Sequence, residues 1–248
     1  MKCTYLGQCC FLIECGTTRI VTDPYLSDSV DKDDLLWRRQ YPVPCTLHSL
    51  KPDAVLISHA HDDHMDPVTL KRYLADGGNS PVCAPLPICG KLYEYGVKNV
   101  EECRAEMPFF VNDVKITPIP CAHTQLHLDG DGRFFELSYC IEYDGRCVFF
   151  GGDMSLYDGL SRRLSQADCD LLLLPINGRD EERTRNGIIG NINEREAAAL
   201  SKELHAPYIP MHHDLYLGNG CSVEAAQAAA DAAGAKMILL LPEQSYSF

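Results

Sequence analysis

The sequence is poor in basic residues and has no long apolar run. Its 248 residues include 22 Lys and Arg against 35 Asp and Glu, which gives a formal net charge of −13. Proteins that bind nucleic-acid phosphates broadly present a basic face, so we expect no nucleic-acid partner. No stretch approaches the roughly 18 apolar residues that span a bilayer. The N-terminus also lacks a basic segment followed by a long apolar run, so we expect neither a signal peptide nor a membrane contact.

Regular cysteine spacing and linker segments are missing as well. The 13 cysteines are odd in number, include no Cys-x-x-Cys pair and mostly have apolar neighbours. We therefore expect reduced, buried thiols and a cytoplasmic location. No internal repeat and no segment rich in Gly, Ser or Pro divides the chain. The sequence thus predicts a single domain over residues 1–248.

Short apolar runs alternate with helical segments along the chain. Residues 54–58 and 170–175 contain continuous apolar runs, which indicate strands that are covered on both faces. An alanine-rich helix over residues 222–233 is predicted to precede a last strand over residues 237–241. Because both halves supply strands followed by helices, we expect an α/β fold in which two packed sheets carry helices outside.

Residues 26–51 form a long segment with little periodicity. It contains Pro42, Pro44 and many charges, and loops of this length are usually functional or disordered. The aromatic and basic run from Trp37 to Arg39 has two interpretations. The segment is either a lid over an active site or a loop that Trp37 anchors to the core.

The most informative segment is a His-x-His-x-Asp-His run directly after the strand at 54–58. His59 and His61 are two residues apart, so at an extended strand end they point the same way. Asp63 and His64 lie on the turn into the next helix, for which Asp66 is the predicted N-cap. Such a run is rare by chance and predicts metal binding.

Three further candidates each follow a predicted strand. They are His123, Asp153 and His212, and the glycine pair before Asp153 allows a close backbone approach. A lone histidine after a strand is more often structural than a ligand. Three such positions in a chain that already holds the His-x-His-x-Asp-His run favour the ligand interpretation.

In order and spacing, these residues resemble the metallo-β-lactamase superfamily over nearly the whole chain. The resemblance implies a four-layer αβ/βα sandwich of two mixed sheets with outer helices and a two-metal site along one edge. No cysteine stands at a ligand position, and imidazole and carboxylate ligands suit Zn²⁺, Mn²⁺ or Fe.

The resemblance also divides the ligands. One metal takes His59, His61 and His123, the second takes Asp63, His64 and His212, and Asp153 bridges the two. His213 is an alternative to His212, which we favour because it stands at the Pro-x-His position that the family uses.

A narrower resemblance lies in the C-terminal half. The run Asn177-Gly178-Arg179-Asp180, followed by Arg183, looks like the ascorbate-6-phosphate lactonase branch, in which the metal is typically Mn²⁺. We therefore expect two divalent ions, Mn²⁺ or Zn²⁺. Guanidinium groups suit a phosphate monoester, and Asn177 and Asp180 suit substrate hydroxyls. The alternative is a solvated charged turn, because acidic residues are interspersed with the arginines.

Two divalent ions hold a hydroxide at neutral pH, and Asp63 is placed to orient it or to carry its proton. The expected function is a metal-dependent hydrolase that opens a phosphorylated sugar lactone, with a small molecule as its partner. One alternative is a phosphodiesterase that acts on a small or cyclic phosphodiester. A non-catalytic metal-binding module is the other, and self-association as a homo-oligomer stays open.

Overall fold

The computed structural model describes residues 1–31, 34–185 and 187–248, which form two β-sheets with helices packed outside them. The strands are β1 (Lys2–Gly7), β2 (Cys10–Cys15), β3 (Thr18–Thr22), β4 (Ala54–Leu56), β5 (Val82–Pro85), β6 (Val100–Cys103), β7 (Phe109–Val111), β8 (Val114–Pro120), β9 (Leu137–Tyr143), β10 (Arg146–Phe150), β11 (Leu171–Pro175), β12 (Tyr208–Met211) and β13 (Ser245–Ser247). The helices are α1 (Leu47–Leu50), α2 (Pro67–Ala75), α3 (Cys89–Glu94), α4 (Leu160–Ala167), α5 (Glu181–Arg185), α6 (Glu194–Glu203) and α7 (Val223–Ala233). None of these helices is both long and apolar enough to cross a bilayer.

Both sheets are mixed. The first has the strand order β13-β1-β2-β3-β4-β5-β6, and the second has the order β12-β11-β10-β9-β8-β7. Strands β3 to β6 are parallel, as are β10 to β12, while the other neighbours are antiparallel. Strand β8 runs in the same direction as β10, because each is antiparallel to β9. The carboxyl ends of β8, β10, β11 and β12 therefore meet at one edge.

Among the described residues, three of the four apolar clusters fill the layers, and the fourth is a small one around Tyr25 and Tyr216. The first lies between the sheets and includes Phe11 and Phe150, while a second includes Leu70 of α2 and Leu92 of α3. The third joins the second sheet to helices α4, α6 and α7. Each fully covered strand thus buries both faces, as continuous apolar runs require. The predicted four-layer αβ/βα sandwich is confirmed.

The strand predicted over residues 237–241 is wrong. Only Met237 forms an isolated bridge, to Tyr208 of β12. Leu240 is buried, but the leucines on either side of it are 37% and 55% exposed, so this apolar run does not fill the core. Pro242 then lacks the amide that a sheet ladder needs, and the chain crosses to the other sheet, where β13 pairs with β1.

The 26–51 segment contains a 3₁₀ turn at Leu35–Trp37 and the short helix α1; its residues 32 and 33 lie outside the described part. Trp37 packs on Tyr216, with ring centroids 6.0 Å apart. The Tyr41 hydroxyl donates to an Asp214 carboxylate oxygen at 3.0 Å. Trp37 therefore anchors the segment beside the chain that follows β12, and a lid role stays a prediction.

Candidate metal centre

The turn between β4 and α2 carries the His-x-His-x-Asp-His run. The Asp66 carboxylate accepts two backbone amides of the first helical turn, at 3.0 and 3.2 Å, and so caps α2. Just before this cap, the His61 carbonyl accepts the His64 amide at 3.0 Å. The capped helix and the tight turn together fix where the four polar side chains point.

Three imidazoles and one carboxylate form a first cluster, which we name group one. The donor atoms of His59, His61, His123 and Asp153 all lie within 4.8 Å of one another. His59 Nε2 is 2.9 Å from His61 Nδ1, and His123 Nε2 is 3.4 Å from Asp153 Oδ2. His61 is exposed while the other three are buried, so solvent reaches group one from the His61 side.

A second cluster, group two, consists of Asp63, His64 and His212 and shares Asp153 with group one. Asp63 Oδ2 lies 3.5 Å from His64 Nε2 and 3.4 Å from His212 Nε2. Asp153 Oδ1 lies 3.4 Å from each of the same two nitrogens. Ligands at about 2.1 Å from a tetrahedral metal lie about 3.4 Å apart, so each of these four contacts has the spacing of two ligands on one ion.

The structure therefore brings all seven predicted ligands together in the two groups that the resemblance implied. His212 takes part in group two. Among the described residues, His213 belongs to none of the clusters of side chains that could hold a metal ion. Both histidines are buried.

Asp153 reaches both groups because two glycines end β10. Gly152 has φ of +62°, and a Cβ at this position would lie 2.7 Å from the Cβ of Ser58. A glycine permits this close approach between the ends of β10 and β4. The Asp153 carboxylate consequently lies among histidines that follow β4, β8 and β12.

Asp23, which follows β3, supports group two and was not assigned by the sequence analysis. Its Oδ1 accepts the Ser58 amide at 2.7 Å, and its Oδ2 accepts a hydrogen bond from His64 Nδ1 at 2.7 Å. This second contact fixes the ring so that His64 Nε2 faces the other ligands. The sequence signals were an acidic residue at the end of a buried strand and the run Thr22-Asp23-Pro24-Tyr25, which resembles the lactonase branch but carries no role by itself.

The β1–β2 turn supplies two more residues that the sequence analysis missed. Gln8 Nε2 donates to Asp63 Oδ2 at 2.7 Å and lies 2.9 Å from His212 Nε2. The buried Cys9 thiol lies 3.9 Å from Asp153 Oδ1. The sequence analysis placed no cysteine at the ligands, whereas the structure puts this thiol beside one of them. Nothing local marks either residue, because sheet pairing alone brings the turn to the site.

The charges of the two groups differ. Burial lowers the pKa of His59 and of His123, so both rings are neutral and keep a lone pair for a metal. Burial would raise the pKa of Asp153, but the surrounding imidazoles hold it well below its usual range. Burial also opposes protonation of His64 and His212, yet the Asp153 and Asp63 carboxylates raise the pKa of both rings. Group two thus holds two ionised carboxylates that attract a cation.

The residues fit divalent metal ions. Among the described residues, the buried His64 Nε2 and His123 Nε2 atoms make no hydrogen bond, although both face carboxylate oxygens. Buried polar atoms are normally paired, so such atoms are candidates for a bound ion. A divalent cation would satisfy them and would replace ring protons in group two.

The chain also matches the sequence profile of the family described as "Beta-lactamase superfamily domain" over residues 2–212. The chain belongs to the metallo-β-lactamase superfamily. A protein from Listeria innocua named UPF0173 metal-dependent hydrolase is 26% identical over 224 residues, which is 87% of this chain and 86% of that protein.

Two solved structures share the metallo-β-lactamase fold of this chain. A metallo hydrolase from the archaeon Ignicoccus hospitalis has a TM-score of 0.76 at 22% identity, over 100% of this chain and 98% of that one. An isothiocyanate hydrolase from Delia radicum gut bacteria has a TM-score of 0.80 at 15% identity, over 100% and 99%. At these identities the two structures show the fold alone.

The four predicted substrate-binding residues of this metallo-β-lactamase superfamily member form a separate network after β11. Arg179 makes a bidentate ion pair with Glu196, at 2.6 and 2.7 Å. Arg183 pairs with Asp180 and donates to the Gly220 carbonyl at 2.7 Å. The remaining candidate, Asn177, is buried, and its amide donates to Asn219 at 2.9 Å.

Proposed function

We propose that the chain is a metal-dependent hydrolase that holds two divalent ions, Mn²⁺ or Zn²⁺, in groups one and two. The observation that carries this proposal is the position of Asp153, whose two oxygens face different groups at 3.4 Å. Similar proteins are named metal-dependent hydrolase and metallo hydrolase, which supports the reaction class.

The solvent-facing side of the site indicates where a substrate enters. His61 is exposed, and the Asp63 side chain is 21% exposed against 5% for Asp153. When bound, the two metals supply the Lewis acidity that makes a water molecule nucleophilic near neutral pH and polarises a carbonyl. Asp63 is the carboxylate that exchanges protons with solvent, while Gln8 orients its Oδ2 by a hydrogen bond of 2.7 Å.

Metal content tests the two-ion part of the proposal. Protein purified without chelator should contain close to two transition-metal ions per chain by elemental analysis, because seven side chains exceed what one ion uses. The same stoichiometry is expected after the stripped protein is reloaded with Mn²⁺ or Zn²⁺. A chain that takes up one ion at most, even with excess metal, would contradict the two-ion proposal.

For the substrate we propose a phosphorylated sugar lactone, whose leaving alkoxide stays attached to the product. Arg179 lies in the segment between β11 and α5, Arg183 lies in α5, and their guanidinium groups are paired with Glu196 and Asp180. An open groove is lined by the two arginines Arg179 and Arg185, the two acids Asp180 and Glu181, and Thr184. A dianionic phosphate would compete with the single charge of Glu196 for Arg179, and Arg forks match phosphate oxygens well.

Replacement of Arg179 tests phosphate recognition. Arg179→Ala should lower kcat/KM for a phosphorylated lactone roughly 10- to 150-fold. This corresponds to a loss of about 1.5–3 kcal/mol of transition-state stabilisation, because a charge-assisted hydrogen bond is lost. An unphosphorylated lactone should lose much less, since lost binding to a remote group matters only when that group is present. Metal content should not change.

Two matched variants sharpen this comparison. Glu196→Gln keeps the capping box of α6 and removes the competing charge, so it should lower KM for the phosphorylated substrate. Arg185→Ala removes a nearby positive charge from the same groove and should have a smaller effect than Arg179→Ala. Equal losses on both lactones in Arg179→Ala would leave the charged-turn interpretation. Turnover of a cyclic phosphodiester in place of the lactones would favour the phosphodiesterase.

A further inference from the structure

Three cysteines from separate segments meet outside the metal groups. Cys140 lies in β9, Cys147 lies in β10, and Cys169 lies in the link between α4 and β11. They lie in the apolar layer that joins the second sheet to helices α4, α6 and α7. Their sulfur atoms are all within 4.8 Å of one another.

The backbone fixes this arrangement. The Cys147 carbonyl accepts the Asp170 amide at 2.8 Å, and the Cys147 amide donates to the Asp170 carboxylate at 2.8 Å. This reciprocal pair holds Cys169, the residue before Asp170, beside β10. Cys140 pairs with Phe149 and Cys147 pairs with Glu142 in the antiparallel ladder, so the two thiols are diagonal neighbours. Strand pairing and this two-way contact set all three positions.

We propose that Cys140, Cys147 and Cys169 form a binding site for a thiophilic d¹⁰ metal ion, Zn²⁺, that is distinct from groups one and two. The Cys147 and Cys169 sulfurs are 3.7 Å apart. Thiolates at about 2.3 Å from a tetrahedral zinc lie about 3.8 Å apart, so this pair already has the required spacing. Soft thiolate ligands select such ions.

Proton release and access are two further requirements of this site. A cation binds by releasing thiol protons to water. A cleft of about 340 Å³ reaches Cys140, and the two glutamates in its lining, Glu142 and Glu106, are ion-paired with Lys115 and Arg163.

Cadmium binding tests the site, because Cd²⁺ is a d¹⁰ ion whose bonds to thiolate absorb in the ultraviolet. Metal-stripped, reduced full-length protein should bind one more Cd²⁺ per chain than the double variant Cys147→Ser/Cys169→Ser. The double variant should also lose most of the sulfur-to-cadmium absorption. In wild-type protein, alkylation of the half-buried Cys169 should slow as this extra equivalent binds.

Two control variants separate the site from other thiols. Cys83→Ala/Cys103→Ala removes another buried thiol pair and should keep the extra equivalent. Cys9→Ala removes the thiol beside Asp153, so the difference between its absorption and that of the wild type shows how much this thiol contributes. If the double variant does not fold, Cys169→Ser alone removes one ligand from a loop position.

Equal Cd²⁺ stoichiometry and equal absorption in wild type and variant would overturn the site. It would also be overturned if the reduced protein bound no extra ion and Cys147–Cys169 merely formed a disulfide in air.

Discussion

Asp153→Asn should abolish turnover on every substrate and leave at most about one metal ion per chain. Asp153 is the side chain that faces both groups, with Oδ1 3.4 Å from His64 Nε2 and Oδ2 3.4 Å from His123 Nε2. An amide keeps one neutral oxygen and turns a nitrogen toward the other imidazole. A bound metal supplies several kcal/mol to the transition state, so we expect kcat/KM to fall by about 10³-fold or more.

For Asp153→Asn, the metal content and kcat/KM should be measured on the same sample. Asp66→Asn is the matched control, because Asp66 is also a buried carboxylate but caps α2. Asn is itself a good helix cap, but its amide nitrogen would face a backbone amide that Asp66 now accepts, so this variant should lose about 1–3 kcal/mol of unfolding free energy and keep both ions. An Asp153→Asn protein with two ions and wild-type turnover would remove Asp153 from the bridging role.

The layered fold was predictable because its central strands carry their own signal. The run at β11 buries all five residues, so its composition alone indicates a covered strand. The edge strands β7 and β13 have only three residues each and include exposed positions, so they lack a periodic pattern. The run at 237–241 failed for the opposite reason: it is apolar, but it lies partly on the surface. Composition predicts burial only where neighbouring strands cover the run.

The cluster of candidate ligands was predictable where its residues are local and not where they depend on sheet order. His59 to His64 lie in six consecutive residues after one strand. Gln8 and Asp23 reach the same cluster only because β1, β2, β3 and β4 are neighbours in the first sheet. A turn between two strands and a strand-end acid are common features, and no spacing rule separates these two from structural residues. Pairing across the sheet decides their role.

The partners in the ion pairs after β11 also could not be predicted from the sequence. The sequence places Arg179 near acidic residues at 180–182 and leaves open which carboxylate it contacts. The structure pairs it with Glu196 of α6, which is also the N3 residue of that helix's capping box. The partner therefore comes from the next helix, and a substrate phosphate has to compete with a carboxylate that the fold itself positions.

Asp23→Asn should weaken metal binding in group two by about 10- to 100-fold, as loss of a hydrogen bond behind a ligand typically does. The Asp23 carboxylate accepts the Ser58 amide and His64 Nδ1, each at 2.7 Å. An amide nitrogen at either oxygen position would meet a donor, so the His64 ring would lose its fixed orientation. Metal titration against a competing chelator should show the larger loss at group two, because Asp23 contacts His64 directly and reaches His59 of group one only through the Ser58 hydroxyl.

Asp53→Asn is the control for Asp23, because Asp53 holds the opposite end of the same two strands. Its carboxylate accepts the Arg19 amide at the start of β3, at 2.8 Å. Asn at position 53 keeps one oxygen for the Arg19 amide, so Asp53→Asn removes the charge and can keep the contact. A purely structural role predicts that Asp23→Asn lowers the free energy of unfolding without separating the metal affinities of the two groups. The positioning role predicts that only Asp23→Asn separates the affinities of the two groups. If both variants bound metal equally well, Asp23 would only hold β3 to β4, and another contact would have to orient His64.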